Sequence, residues 1–554
     1  MLTRRRFLLG AAALSGSVSR SEVWANADAR DLLLTGGKIY TGLVQRPTVE
    51  ALVIRGGRIA HAGSLAVARS AAHRASVIDL DGGTAFPGFV DAHAHLTAIG
   101  LRELTLNLEG VRSLAALTSK LRDWATNTQP SGPISGRGWI ETHWPEARFP
   151  TRADLDAIVA DRPVWLERAD GHAGVANTAA LALAGVTPST ANPAGGEILR
   201  DASGAATGML IDNAQSLVVE RLPKPDAAML REALVRANKL YLSRGWTGIH
   251  NMSVSAEDVA LMSELAAAGA LRLRLDNYLD SGSAALTLER GPAADSSGRV
   301  RIRGIKLYAD GALGSRGAAL LAPYSDLPNS RGLTLLEVPE ALDWMRKAEA
   351  RGLQLAIHAI GDRGNRMVLD AYESYSQGRP LPGRWRIEHA QVLALEDVPR
   401  FAKLGIIASM QPSHAIGDLY FAPARLGSER LHGAYAWRRL LDSGAVICAG
   451  SDAPVEKGDP LIEFYAAVHR HALDGFANRD WNLDQRVSRL EALQMLTSAP
   501  AFAAHREFEL GALQVGRRAD ISVFSRDLLN AEPREILRSK CTLTMIEGRV
   551  EFSA

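Results

Sequence analysis

His93 and His95 stand two positions apart at the end of Pro87-Gly88-Phe89-Val90-Asp91-Ala92-His93-Ala94-His95. Side chains two apart on a strand point to one side, so both imidazoles can reach a common cation at the strand's end. Imidazole suits a borderline divalent ion such as zinc. A purely structural pair of histidines has the same spacing, but the apolar run and the Gly88 bend in front of this one favour a metal. Three more ionisable groups end apolar runs: His358 after Leu355-Ala356-Ile357, His389 after Ile387-Glu388, and Asp452 after Ala449-Gly450-Ser451. One histidine closing a strand is usually a core residue bonded to backbone; four of them with an aspartate are not explained that way. Lys306 lies inside Gly304-Ile305-Lys306-Leu307, where a cation is costly to bury. An uncharged amine can add carbon dioxide, and the carbamate offers two oxygens to bridge two cations. An ion pair to Asp310 or Glu388 is the other use of such a lysine.

These groups need strands that end together. Candidate strands are 84–91, 164–166, 248–250, 303–307, 355–358, 384–389, 406–409 and 445–448, with helical stretches at 227–243, 256–268, 338–351 and 364–375. Eight parallel strands alternating with helices predict an α/β fold, a (β/α)8 TIM-type barrel whose functional groups gather at the C-terminal strand ends. The barrel is expected over residues 85–504. The stretch 101–245 is longer than one barrel unit needs and reads as an insertion. Short alternating segments near 32–35, 39–40, 51–54 and 59–62, punctuated by Gly36-Gly37 and Gly56-Gly57, are matched by 521–524 and 542–546. They predict a small composite β-sandwich built from residues 28–84 and 505–554; two unrelated edge hairpins would show the same periodicity.

The first 27 residues carry Arg4-Arg5-Arg6, an apolar stretch through Leu14 and Ala25-Asn26-Ala27. That order resembles a twin-arginine signal peptide read by the twin-arginine export machinery, which places the mature protein in the periplasm. An ordinary secretory signal is the alternative. Without that segment's four arginines and one glutamate, the formal net charge moves from +2 to −1. A near-neutral body with no basic stripe argues against nucleic acid. No run of 18 apolar residues is present, so no membrane anchor is expected in the mature form. Cys448 and Cys541 could pair, but the apolar setting of Cys448 favours a buried, inert thiol.

Taken together, several segments resemble the metal-dependent amidohydrolase superfamily, and within it the YtcJ-like branch (amidohydrolase family 3) that includes N-substituted formamide deformylases. They are Phe86–His95, Gly304–Arg316, His358–Asp362, Arg386–Gln391, Gly450–Glu456 and Gly511–Asp520. The resemblance spans residue 31 to the end. It implies that His93 and His95 bind one divalent metal and His358 and His389 another, with Lys306, N6-carboxylated, bridging them and Asp452 both ligating the first ion and acting as general base and acid. Zinc is the default; iron, manganese or nickel fit the same donors, with one or two ions per chain. Such ions lower the pKa of bound water and polarise a carbonyl, which suits hydrolysis of a small amide-type substrate. Esters, lactones and cyclic ureides would suit the same centre, and a periplasmic binding protein without turnover is a third reading.

Substrate contacts are read from loops. His172, in Gly171-His172-Ala173, is placed by the resemblance near the bound carbonyl, or is a hydrogen-bonded loop histidine. Trp139 and Trp144 either line an apolar pocket or fasten the insertion. His414 follows the seventh strand and is expected at the mouth of the site, whereas Asp362 and Asn365 are expected to cap the helix after the fifth strand. A homo-oligomer is compatible with all of this.

Overall fold

The computed structural model describes residues 31–127, 132–169, 171–193, 195–476 and 481–554. The signal-like segment 1–27 lies outside the described residues. Eight parallel strands form the barrel sheet: β1 (Phe89–Ala94), β2 (Trp246–Val254), β3 (Arg274–Leu279), β4 (Val300–Tyr308), β5 (Gln354–Ala359), β6 (Arg386–His389), β7 (Ile407–Met410) and β8 (Ile447–Ala449). They run in chain order from β1 to β8. The sheet nearly closes where β1 meets the chain just past β8. There Asp452 N–H donates to His93 O at 2.7 Å and His95 N–H to Ala453 O at 2.9 Å. Gly450 permits that approach, since a Cβ on it would meet His93 N at 2.3 Å.

Three strand expectations need correction. The expected strand 84–91 is two strands, Thr84–Pro87 in a sheet of the chain ends and Phe89–Ala94 in the barrel. Val164–Arg168 is not a barrel strand. It pairs with Ile134–Trp139 and Ala173–Ala176 in a separate six-stranded sheet of the insertion. The barrel's third strand is instead Arg274–Leu279. Its polar residues hid it: all three are buried, Arg274 paired with Asp520, Asp276 with Arg301, and Asn277 hydrogen-bonded to Asn251 and Arg301 O. A buried parallel strand ordinarily reads as a continuous apolar run.

The predicted helices form at Ala227–Arg244, Ala256–Ala267, Val338–Glu349 and Asp362–Ser376. Ala227–Arg244 is a barrel helix and not part of the insertion. It packs on Leu96–Leu104 so tightly that a Cβ at Gly100 would meet Ala233 O at 1.9 Å. The inserted sheet therefore begins at Leu106 and has an apolar core of its own, with Leu117, Leu121, Trp139 and Leu166 in it.

The chain ends make two further sheets. One has the order Arg58–Gly63, Ala51–Arg55, Leu32–Thr35, Ser76–Asp79. The other unites Thr84–Pro87 with Ile521–Phe524, Cys541–Ile546 and Arg549–Ser553, and so joins the two ends of the chain. One buried cluster holds Leu34 and Leu52 from the first sheet with Ile521 and Met545 from the second. Cys448 and Cys541 are buried and free. Among the described residues no helix is long and apolar enough to cross a membrane.

Candidate metal centre

The C-terminal ends of the barrel strands open into a cavity of about 880 Å3. His93, His95, Lys306, His358, His389, His414 and Asp452 all line it, and the insertion supplies His172, Ile140, Trp144 and Arg168 to its wall.

Three of the floor histidines have Nδ1 occupied. The His93 Nδ1–H donates to Glu388 Oε2 at 2.6 Å, the His389 Nδ1–H to Gln411 Oε1 at 2.8 Å, and the His95 Nδ1–H to Met252 O at 3.0 Å. This fixes the tautomer and leaves each Nε2 with a lone pair. The Nε2 atoms of His95 and His93 lie 3.1 and 3.4 Å from Asp452 Oδ1. The ring of His389 is 4.7 Å from that of His93 and 4.6 Å from that of His358. His358 Nε2 lies 3.4 Å from both Gly311 O and Asp310 Oδ1.

Backbone geometry helps to aim these groups. His389 has φ of 72° and Asp452 of 55°. Non-glycine residues hold the left-handed region at a cost, and such residues concentrate at functional sites. On an extended strand His389 would face away from Glu388 and Arg386. Its positive φ breaks that alternation and brings it into the same site.

Burial pushes the His93 imidazole down to about 4, helped by the Lys306 ammonium beside it. Burial also lowers His389 and His414. For Asp452 burial acts upward, but the surrounding imidazoles of His93, His95 and His389 outweigh it and hold the carboxyl well below the usual range. The same contest at Glu388 is won by the Arg386 guanidinium, whose Nε donates to Glu388 Oε1 at 2.7 Å. A His93 imidazole that burial strips of its proton, beside the ionised Asp452 carboxylate, supplies the kind of donors a divalent cation requires.

Two triplets, His93 with His95 and Asp452, and His389 with His414 and Asp452, each hold their donor atoms within 4.8 Å of one another. His414 Nε2 is buried with no hydrogen-bond partner. An orphaned nitrogen beside converging donors fits a cation. Lys306, 1% exposed, places Nζ 3.4 Å from His93 Nε2 and 4.7 Å from the Tyr308 ring centre. Among the described residues no carboxylate forms an ion pair with it. Asp310 instead accepts from the N–H groups of Ala319, Ile360 and Gly361, and Glu388 is engaged by His93 and Arg386.

Three expectations change. Trp139 does not line the cavity: it is fully buried in the insertion's core, its indole N–H donating to Leu166 O at 2.9 Å, while Trp144 reaches the wall. Asp362 does not cap its helix, for Gly361 holds that position and the Asp362 carboxylate accepts from Leu321 N–H. Asn365 donates to the carbonyls of Ala359, Gly361 and Val392, tying the loop after β5. His172 does line the cavity, with its Nδ1–H donating to Asp212 Oδ1 at 2.8 Å. Arg386, Glu388 and Gln411 were missed as supports. Period-two alternation already sets Arg386 and Glu388 on one face of their strand, a polar pair inside an apolar run, and that was the available signal.

A nearly closed parallel barrel with histidines and carboxylates gathered at its strand ends defines a metal-dependent hydrolase, and the amidohydrolase family model matches residues 76–552. The chain belongs to that family. Its branch is family 3, with YtcJ of Bacillus subtilis: 33% of 529 aligned residues are identical, covering 93% of this chain and 98% of that protein. N-substituted formamide deformylase of Arthrobacter pascens is 29% identical over 539 residues, covering 94% and 98%. Among solved structures, an uncharacterized metal-dependent hydrolase from Pyrococcus furiosus superposes with a TM-score of 0.73 at 30% identity, covering 90% of this chain and all of that one.

Proposed function

We propose that this chain hydrolyses a C–N bond of an amide or N-substituted formamide at a divalent metal centre held by His93, His95, Lys306, His358, His389 and Asp452. The observation that carries the reading is Lys306, an almost fully buried amine at the meeting point of the histidines with no carboxylate paired to it among the described residues. A lone buried ammonium is costly. Once the ammonium has given up one proton, the neutral amine can bond Nζ to carbon dioxide and release a second proton, which makes an anionic carbamate that would suit two divalent cations. The relation to a formamide deformylase supports the bond type.

When bound, divalent zinc or a similar ion polarises the scissile carbonyl and brings the pKa of water toward neutrality. The residues divide the remaining work. Asp452, ionised and at the cavity floor, takes a proton from the attacking water and hands it to the departing nitrogen, giving a carboxylate and an amine. In its doubly protonated form, with Nδ1–H on Asp212, His172 donates Nε2–H toward the carbonyl oxygen as negative charge gathers there. Glu388 and Gln411 hold the histidines in the tautomer that leaves Nε2 available.

The remaining parts fit a secreted enzyme. The two terminal sheets, sharing one apolar cluster, form a composite sandwich that buttresses the barrel. The twin-arginine-like leader directs the folded, metal-loaded protein to the periplasm. The test is metal analysis of the purified protein, followed by assay on N-substituted formamides with and without a chelator. Bound divalent metal and activity that disappears on chelation and returns with zinc are expected. Turnover that survives complete metal removal would sink the reading.

A further inference from the structure

The support of His93 does not end at Glu388. Arg386 is fully buried and reaches groups on β1, β2, β3, β6 and β7. Its Nε donates to Glu388 Oε1 at 2.7 Å, and its Nη2 to Glu388 Oε2, Ala92 O and Ser409 Oγ at 3.0, 2.7 and 2.6 Å. Nη1 has two partners, His250 Nδ1 at 2.7 Å and the Tyr278 hydroxyl at 3.3 Å. His250 lies on β2 and is 1% exposed. His250, Arg386, Glu388 and His93 thus form one chain of contacts at 2.7, 2.7 and 2.6 Å that ends at the metal centre.

A guanidinium can only donate, so Nδ1 of His250 is the lone-pair nitrogen and the ring's hydrogen is on Nε2. Burial and the Arg386 charge push this imidazole down to about 3, which keeps it neutral. A carboxylate in the same place would compete with Glu388 for the guanidinium. A neutral imidazole takes Nη1 and leaves the charge to Glu388. Asp276 is the cross-strand neighbour of His250 on β3, and its negative charge favours hydrogen on the nitrogen that does not meet Arg386. Both residues line a cavity of about 20 Å3 near the N-terminal ends of the strands, away from the metal centre.

A fully buried guanidinium needs an acceptor on each edge. Without the His250 ring, Nη1 would keep only the longer contact to Tyr278, whose own hydrogen goes to Gln354 at 2.7 Å. The guanidinium would then shift toward other acceptors and loosen its grip on Glu388. We infer that His250 is a positioning residue of the metal centre: as the acceptor for Nη1 it holds Arg386 on Glu388, and through Glu388 it aims His93 Nε2 into the cavity. It acts at two residues' remove, from a strand that supplies none of the six proposed ligands. The inference rests on the metal-centre reading above, and the experiment separates the two.

Full-length protein stripped with a chelator is titrated with Zn2+ against a competing chromophoric chelator, as wild type and as His250→Asn and His250→Gln. Asn can place its amide oxygen where Nδ1 stands, whereas Gln carries its amide one carbon further, toward the place of Nε2. His250→Asn should bind zinc as the wild type does. His250→Gln should bind it about tenfold more weakly, the low end for groups that stand behind a metal ligand. Both are uncharged amides, so a role in packing or polarity alone would move them together. Equal affinity in all three proteins, equal loss in both variants, or the greater loss in His250→Asn overturns the role of His250 and leaves the hydrolase reading standing. A wild type that binds no zinc overturns that reading and this inference with it. Should His250→Gln not fold, His250→Asn decides: affinity kept supports the role, and affinity lost overturns it.

Discussion

The floor of the cavity and its inserted wall bring histidines to the same space by different means. On the floor, His93 is fully buried, its second nitrogen is held by a carboxylate that is itself held by an arginine, and the loop that carries Asp452 is hydrogen-bonded to β1. On the wall, His172 keeps 26% of its side chain exposed and is held by Asp212, a residue of the same inserted sheet. Groups built into a closed sheet cannot shift without opening it. Groups on an insertion with its own core can be changed and leave the barrel intact. The floor is therefore suited to chemistry, and the wall to choosing what reaches it.

That contrast can be broken experimentally. The largest effect is expected at Asp452→Asn, which keeps shape and burial but removes the charge. Turnover should fall on the order of 10²–10⁴-fold, the usual share of a positioned acid–base group. Steady-state kinetics on a metal-loaded variant check this, and near-normal kcat would take Asp452 out of proton transfer. A smaller effect is expected one step below the floor. Glu388→Gln preserves the contact to His93 but loses the carboxylate, so metal affinity should drop about 10–100-fold; unchanged affinity in a zinc competition assay would mean that the Glu388 contact merely packs.

The smallest effect belongs to the wall. His172→Ala removes one hydrogen-bonding group, worth about 1 kcal/mol, so kcat/KM should fall about fivefold with metal content unaltered. Trp139→Phe, behind the same wall, should lower the melting temperature while leaving KM unchanged. If Trp139→Phe altered KM as much as His172→Ala does, the insertion would not be divided into a packing core and a substrate-facing surface.

Much of this molecule was legible as spacing. His93 and His95 two apart, and His358, His389 and Asp452 each closing an apolar run, announced strand ends that meet, because residues at the ends of parallel barrel strands share one face. Strand β3 was not legible: Arg274, Asp276 and Asn277 put polar groups where a buried strand is expected to be apolar, and their partners lie far away or on another strand, Asp520 for Arg274 and Arg301 for Asp276. Val164–Leu166 misled for the opposite reason, since an apolar strand reads alike in a barrel and in an inserted sheet. Trp139 likewise gave no sign of which way it faced.

The local pattern of the chain thus determined which residue types could bind a cation and which segments would be strands and helices, since hydrophobic periodicity and donor chemistry are properties of neighbours in sequence. Tertiary structure decided which oxygen of Asp452 meets which imidazole, that His389 turns into the site on a left-handed backbone, that Lys306 pairs with no carboxylate among the described residues, and that His414 lies against His389. Those facts depend on distances between groups that the sequence separates by tens to hundreds of residues, and only a closing barrel sets them.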